Sequence, residues 1–533
     1  MAVKTTARKT SELGIQSRLA TTTTEAAHLV EFTDGKLGWR TSDDKSPVTT
    51  LTTREIIFIL KATCGGYLIF SLAESDSPEA EESDWFKLSV LHSLQELPQE
   101  VLEPYLINSG SADGGLAGRF PWSDNDSLID VIVSTKSGTG KSKAFYDAVL
   151  SPLLSAVGFD EKPDQPNGAN GSNGPNGCGD KETQGSRQYQ VTLTTSPRTV
   201  TEFANKIRDH SGQQRTMILL SGDGGVIDLL NGLDNAGKPD KGTQPTVAIL
   251  PLGTGNALFH SLHKPLYNSW PDASTAPSNL VLGLRTLFTG TAKPLPTFKA
   301  SFSPRSRLIS APALETLSSS TEVTNGKGEH QVFTEHLIGA IVASYGFHAS
   351  LVWESDTPEY RVHGDKRFGM AAAELLKVSH AYETVVQVRK AGKPEEMVRI
   401  PRDKFNYVLT TMVSNLEKTF TISPDSKPLD GQLRLVHFGE VSGERTMEIM
   451  MAAYKGGEHV GMKWKGTEDK EDGVGYEEIH EVRVSILEQD RRWRKVCIDG
   501  TIVEIEKDGW MSVKRELEGQ ERIKVVVNKE VVV

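Results

Sequence analysis

Three glycine-rich turns, each set directly after an apolar run, constrain this chain more than any other feature. They are Ser137-Gly138-Thr139-Gly140, Ser221-Gly222-Asp223-Gly224-Gly225 and Pro251-Leu252-Gly253-Thr254-Gly255-Asn256. The runs before them, Leu128 to Val133, Thr216 to Leu220 and Val247 to Leu250, read as strands, and the residues after them read as helix. A strand that feeds a helix through a tight turn is the repeating unit of a parallel sheet. Such a turn aims backbone N–H groups and a helix N-terminus at one edge of the sheet, where anions bind. Three of them in order predict several loops converging on one phosphate-rich ligand.

The surrounding pattern sets the expected organisation. Strands are expected near 128–134, 189–195, 216–221 and 246–251, and helices over 141–154, 199–209, 225–233 and 256–262. Residues 126–297 are thus expected to form an α/β nucleotide-binding lobe, a parallel sheet with crossover helices. A flexible insertion is expected at 161–187, where Asn-Gly triplets run from Asn167 to Gly177 with no apolar face to bury. Residues 298–533 read as a β-rich, largely antiparallel second lobe with a flexible Ser-rich loop at 303–330. Its strands are expected at Ile338 to Ala343, Tyr407 to Val413, Leu433 to Phe438, Glu481 to Leu487, Thr501 to Ile505 and Ile523 to Val527, with a helix from Arg367 to Ala381. Residues 1–25 read as a disordered tail. Residues 26–125 read as a small β-rich N-terminal accessory module with a helix around Leu97 to Leu106.

Composition excludes some functions. A formal net charge of -11 argues against sequence-independent nucleic-acid binding. Cys64, Cys178 and Cys497 are too widely spaced for a metal-ligand pair or a disulfide framework, which fits a reducing, cytoplasmic setting. No run of about 18 apolar residues is present, so no membrane-spanning helix is expected.

Each motif has a chemical reading and a plain one. Ser134-Thr135-Lys136-Ser137-Gly138-Thr139-Gly140-Lys141-Ser142 ends like a P-loop, but Thr135 stands where that motif needs glycine. Its small residues still let N–H groups approach phosphate; otherwise it is a tight strand-to-helix turn. Asp223, between glycines, suits a general base or a magnesium ligand, or an N-cap for the following helix. Asp228 lies further along that helix, and Asn256 could cap the helix after the third turn. Asp499-Gly500 and Asp430-Gly431, taken alone, are hairpin turns.

In this order the motifs resemble the diacylglycerol kinase catalytic-domain superfamily, which includes diacylglycerol, sphingosine and ceramide kinases. Ser221 to Leu233 resembles the sphingosine-kinase form of the second motif, and Pro251 to Ala257 the third. Gly346-Phe347 to Tyr360-Arg361 and Arg367-Phe368-Gly369 resemble the segment that opens the second domain. The resemblance implies a two-lobed lipid kinase with ATP and magnesium in the cleft and a lipid substrate reached by transient contact with a membrane surface. Asp223 would take the proton from the lipid hydroxyl. Ser134, Thr135, Lys136, Ser137, Gly138, Gly140 and Thr195 would contact nucleotide, as would Gly222, Gly224 and Asp228. Gly253, Thr254 and Gly255 would line the phosphates, and Arg361 and Arg367 would neutralise them. Asp499 and Gly500 match the late nucleotide motif, with Asp499 also a metal ligand.

The departures carry information too. Ser134-Thr135 replaces Asn-Pro, and Thr501 replaces the Glu of a late Asp-Gly-Glu. Sphingosine kinases carry acids where Ser350 and Val352 stand, so the lipid is expected to be uncharged unless Glu354 compensates. Two rival readings follow: a catalytically degenerate nucleotide- or lipid-binding protein, and an NAD kinase-like enzyme.

Overall fold

The runs before the three turns become adjacent strands of one sheet, Leu128–Val133, Arg215–Ser221 and Thr246–Pro251. Their sequences are almost continuously apolar because both sheet faces are covered, and Val131, Leu219 and Leu250 are fully buried. The seven strands run in the order Thr291–Pro294, Lys524–Val527, Thr246–Pro251, Arg215–Ser221, Leu128–Val133, Arg187–Leu193 and Phe159–Glu161. All neighbours are parallel except the first pair. Register pairs Leu220 with Val133 and Ser221 with Pro251, which brings the three turns side by side at one sheet edge.

The computed structural model describes residues 24–40, 48–62, 65–75, 77, 79–107, 127–138, 140–163, 187–208, 213–234, 244–270, 275–309, 322–324, 330–364, 366–393, 395–465 and 471–531. The tail expected at 1–25 and the insertion expected at 161–187 lie almost wholly outside these residues, as does Thr139.

One strand is in a different sheet from the one expected. Ile523 to Val527 was expected among the antiparallel strands, but Lys524–Val527 returns to the parallel sheet beside Thr246–Pro251. A Val-Val-Val run suits a strand buried on both faces, and local pattern does not say which sheet it enters. The helices also shift. The second turn's helix begins at Asp223 itself, as Asp223–Asp234. The expected helix at 141–154 is a helix Ser142–Phe145, a π turn Tyr146–Leu150 and a helix Ser151–Ala156. The π turn precedes Pro152, which has no N–H to give to a carbonyl in the previous turn. An unforeseen helix, Asn279–Thr289, is capped by Ser278, whose Oγ accepts from the Val281 N–H at 3.1 Å.

Much of the second half forms a fourteen-stranded sheet in which every pairing is antiparallel. Short strands Arg307–Leu308 and Glu322–Thr324 belong to it, so 303–330 is not purely loop as expected. Helices Phe347–Ser355, Lys366–Val378 and Gly443–Ala453 accompany this sheet. The two sheets share one apolar core, in which Leu229 and Leu230 join Phe298, Tyr345 and Val408.

Residues 24–107 build a further seven-stranded sheet, with a helix at Gln99–Tyr105. It is fused to the parallel sheet's helices. Phe58 lies 4.7 Å from Phe288, and Phe86 lies 5.1 Å from Phe145, both edge-on. Arg285 donates from helix Asn279–Thr289 to the Ile56 and Thr53 carbonyls at 2.8 Å each. Among the described residues no helix is long and apolar enough to cross a membrane.

Candidate functional site

The turn glycines are there because the loops touch backbone to backbone. A Cβ on Gly138, whose φ is +54°, would stand 2.4 Å from the Leu252 carbonyl oxygen. A Cβ on Gly222 would stand 2.8 Å from Gly253 Cα, and one on Gly253 only 2.3 Å from Gly222 Cα. Real Cβ atoms do not approach this closely, so only glycine permits the contact. Ser137 Oγ accepts the Gly222 N–H at 3.0 Å and ties the first loop to the second. Asn256, at φ 53°, holds the third loop by accepting the Gly253 N–H at 3.0 Å and donating to the Gly253 carbonyl at 2.9 Å.

Asn256 therefore does not cap the helix Ala257–Tyr267 that it precedes. Asp223 does so from the neighbouring helix. Its Oδ2 accepts the Ala257 N–H at 2.7 Å and its Oδ1 the Leu258 N–H at 3.0 Å. Burial pushes the Asp223 carboxyl up, and these two bonds pull it part of the way back. Asp223 caps the next helix rather than its own, and each oxygen, accepting one N–H, keeps a further lone pair for a ligand. Asp223→Ala is expected to lower stability by about 1–2 kcal/mol, the usual cost of a lost N-cap. The midpoint of urea unfolding reads this directly, and an unchanged midpoint would remove the capping role.

Asp499 is engaged in the same way. It sits at φ 47° in the turn before Thr501–Glu504 and accepts the Ala340, Ile341 and Val342 N–H groups at 2.7, 3.1 and 2.5 Å. These donors are free because the strand expected over 338–343 is broken between His336–Gly339 and Val342–Gly346. Burial pushes its carboxyl up to about 7 against the pull of these bonds. Asp499 thus clamps the turn between these two strands. Among the described residues no three His, Cys, Asp or Glu side chains are grouped to hold a metal. A magnesium ion held by one or two carboxylates and nucleotide phosphates needs no such cluster, and Asp223 and Asp499 both line the cavity beside the loops.

A cavity of about 730 Å³ opens beside the three loops. Of the residues singled out from the sequence, it is lined by Ser137, Gly138, Gly222, Asp223, Gly224, Asp228, Gly253, Thr254, Gly255, Asn256, Val352, Arg361, Arg367, Asp499, Gly500 and Thr501. Ser134, Thr135, Lys136, Gly140, Thr195, Ser350 and Glu354 are not on its wall. The Ser134 N–H extends the strand by donating to the Leu220 carbonyl at 3.0 Å. Thr135 donates its N–H to Thr194 Oγ1 and its hydroxyl to the Thr194 carbonyl, at 3.0 and 2.8 Å. Lys136 and Gly140 are exposed on the turn. The Thr195 N–H donates to Thr199 Oγ1 at 3.2 Å. Ser350 is buried against the Tyr382 hydroxyl at 2.7 Å, and Glu354 is paired with Arg492 at 2.8 Å. Neither Ser350 nor Glu354 is placed to read a substrate from this cavity.

The cavity also has features not foreseen from the sequence. Asp356 accepts from Arg361 Nε and Nη2 at 3.0 and 2.7 Å and from Arg367 Nη1 at 3.2 Å. It holds both cavity arginines together. Arg367 Nε is buried with no hydrogen-bond partner among the described residues. His348 bonds Ser344 Oγ through Nδ1 at 2.8 Å, and burial lowers its pKa to about 4, so it is neutral. The buried Tyr407 hydroxyl has no hydrogen-bond partner among the described residues. Thr201, Asn231 and Glu417 also line it, and much of the remaining wall is apolar. Phe347 and Leu351 come from one helix, and Met447, Met450 and Met451 from Gly443–Ala453. Met447, Met451 and Tyr454 remain exposed. Their spacing, with Met450, is i, i+3, i+4, i+7, an amphipathic-helix signal present in the sequence.

These features define a class. Residues 179–285 match the family model described as the diacylglycerol kinase catalytic domain, a stretch that holds the second and third glycine turns. The resemblance carried by those motifs is therefore shown. Similar solved structures include a diacylglycerol kinase from Bacillus anthracis str. Sterne, at 13% identity and TM-score 0.42, covering 77% of this chain and 100% of that one. A putative diacylglycerol kinase from the same organism is similar at 15% identity and TM-score 0.44, with the same coverage. A yeast NADH kinase complexed with NADH is similar at 9% identity and TM-score 0.33, covering 76% of this chain and 85% of that one. No curated protein sequence matches the chain.

Proposed function

We propose that this chain is an ATP-dependent lipid kinase that transfers the γ-phosphate to the hydroxyl of an uncharged lipid such as diacylglycerol or ceramide. The observation that carries this reading is a single cavity lined both by glycine loops with two arginines and by an apolar wall of Phe, Leu and Met. The first set suits triphosphate. The backbone N–H groups of the glycine turns favour anions, and Arg361 and Arg367 exchange Asp356 for phosphate oxygens. The second set suits acyl chains. Val352 lines the cavity where an acid would read a sphingoid amine, while Glu354 is bound to Arg492. That favours an uncharged headgroup. Exposed Met447, Met451 and Tyr454 give the cavity an apolar rim for transient contact with a bilayer.

The test is phosphate transfer from γ-labelled ATP to diacylglycerol, ceramide, sphingosine and phytosphingosine in mixed micelles, with NAD as a soluble acceptor. Label in diacylglycerol or ceramide alone is the expected result. Label in sphingoid bases keeps the kinase and removes the inference from Val352. ATP binding with no labelled lipid gives the degenerate-binder reading, and label in NAD alone gives the NAD kinase-like one.

A further inference from the structure

Resting on the kinase reading above, we propose that His348 donates a hydrogen bond to an acyl carbonyl of the lipid and so selects a diacylglycerol over a glycerolipid of the same shape without carbonyls. His348, Leu351 and Val352 stand at i, i+3 and i+4 on helix Phe347–Ser355, and all three line the cavity. His348 is the polar member of this stripe. It lies one turn from Val352, where an acid would meet a charged headgroup.

The ring is held in one orientation. Its Nδ1 bonds Ser344 Oγ at 2.8 Å, and Ser344 belongs to the strand Val342–Gly346, which is buried along its whole length. Its plane meets the Tyr407 ring edge-on with centroids 6.3 Å apart, and Tyr407 is stacked on Phe438 at 5.2 Å. Phe347, Ala349 and Ser350 are buried around it, whereas His348 keeps open surface on the cavity wall. Its Nε2 has no hydrogen-bond partner among the described residues. The Ser344 hydroxyl can donate to Nδ1. That assignment puts the single proton of the neutral ring on Nε2, the nitrogen on the side away from Ser344.

A neutral donor suits a neutral acceptor. Burial lowers the His348 pKa to about 4, so the ring carries no charge at neutral pH. An acyl chain that enters beside Phe347, Leu351 and Met450 brings its carbonyl out of water, and the carbonyl costs free energy there unless an N–H meets it. A sphingoid base has no such carbonyl. Other polar groups of the wall are engaged. Asn231 donates to the Ile227 and Ile338 carbonyls and accepts the Ile338 N–H. Glu417 accepts from the Tyr454 hydroxyl at 3.2 Å, and Asp356 holds the two arginines. His348 acts on binding and selection and takes no part in moving the phosphate.

The experiment compares dioctanoylglycerol with dioctylglycerol, its ether analogue, in mixed micelles at saturating ATP. The two lipids share the attacking hydroxyl and differ in the carbonyls. Full-length wild type is expected to favour the ester by about tenfold in kcat/KM, the scale of one hydrogen bond to a buried acceptor. His348→Phe is expected to bring that ratio close to one through a higher KM for the ester, with kcat and KM for ATP little changed. His348→Gln, whose amide N–H₂ can stand in for Nε2–H, is expected to keep most of the preference. A merely structural His348 would weaken both lipids alike and leave the ratio where it was. An unchanged ratio in His348→Phe, or a wild type that does not distinguish the two lipids, overturns the inference and leaves the kinase standing. Turnover of sphingoid bases alone does the same. Absence of turnover on every lipid, with ATP bound, overturns the kinase reading and this inference with it.

Discussion

Gly253→Ala is expected to abolish nucleotide binding and to cost the fold about 1–3 kcal/mol, the usual range for overpacking a close contact. The added Cβ would stand 2.3 Å from Gly222 Cα, 2.9 Å from Gly222 N and 2.8 Å from Asn256 Oδ1. Two of these atoms are backbone and cannot rotate away, so one loop must retreat from the other. Retreat of the second loop breaks the Gly222–Ser137 bond and pulls Asp223 off the N-terminus of Ala257–Tyr267. The three turns then no longer present a common set of N–H groups. Titration calorimetry with ATP reads the first effect, and the unfolding midpoint reads the second. Gly224→Ala is the stability control, because a Cβ there meets nothing within 4 Å and the unfolding midpoint is expected to hold. ATP affinity equal to wild type in Gly253→Ala would show that the loop contact does not shape the site.

Arg522→Ala is expected to cost about 3–5 kcal/mol, the scale for removing one partner of a buried ion pair. The Arg522 side chain is 3% exposed and bonds both Asp234 and Glu516; its Nε reaches Asp234 Oδ1 at 3.0 Å. Without it two carboxylates stay buried with too little positive charge. The loss reaches the site, because Arg522 leads into Lys524–Val527, the strand beside Thr246–Pro251 that feeds the third turn. The pH dependence carries a second signature. Burial acts to raise the Asp234 pKa, but hydrogen bonds from His336 and Arg522 outweigh it and hold the value at about 2. A folded-state pKa below the unfolded one gives stability that is present above about pH 4 and lost as pH falls toward 2. The amount is about 2–3 kcal/mol for a shift of this size. Urea midpoints at pH 7 and pH 3 check both points: the gap between wild type and Arg522→Ala is expected to narrow at pH 3. A gap of constant size would show that the arginine does not depress Asp234.

Local pattern made much of the parallel sheet legible. Leu128–Val133, Arg215–Ser221 and Thr246–Pro251 lie within two residues of where apolar runs and glycine turns placed them, because a doubly covered strand writes itself as an unbroken apolar run. Helices Phe347–Ser355 and Asn279–Thr289 were not legible. Both are apolar around much of their circumference, and an apolar run buried on several sides shows little helical period. Gly443–Ala453 did carry its signal, in the spacing of Met447, Met450, Met451 and Tyr454.

For the site, the residue types and turn spacings by themselves pointed to three loops at one edge of the parallel sheet, because an apolar run ending in glycines reads as a buried strand followed by a turn tight enough for close backbone contact. The tertiary structure alone decided which acids hold the loops together. Asp223, Asp228 and Asp499 look alike along the chain, each an acid beside or beyond a glycine turn. What separates them is whether unpaired N–H groups from elsewhere in the fold reach their oxygens: from the start of Ala257–Tyr267 to Asp223, from the break after Gly339 to Asp499, and from nowhere in the described residues to Asp228. Those donors lie 34 residues or more away in sequence from the acids they satisfy, beyond the reach of any local pattern.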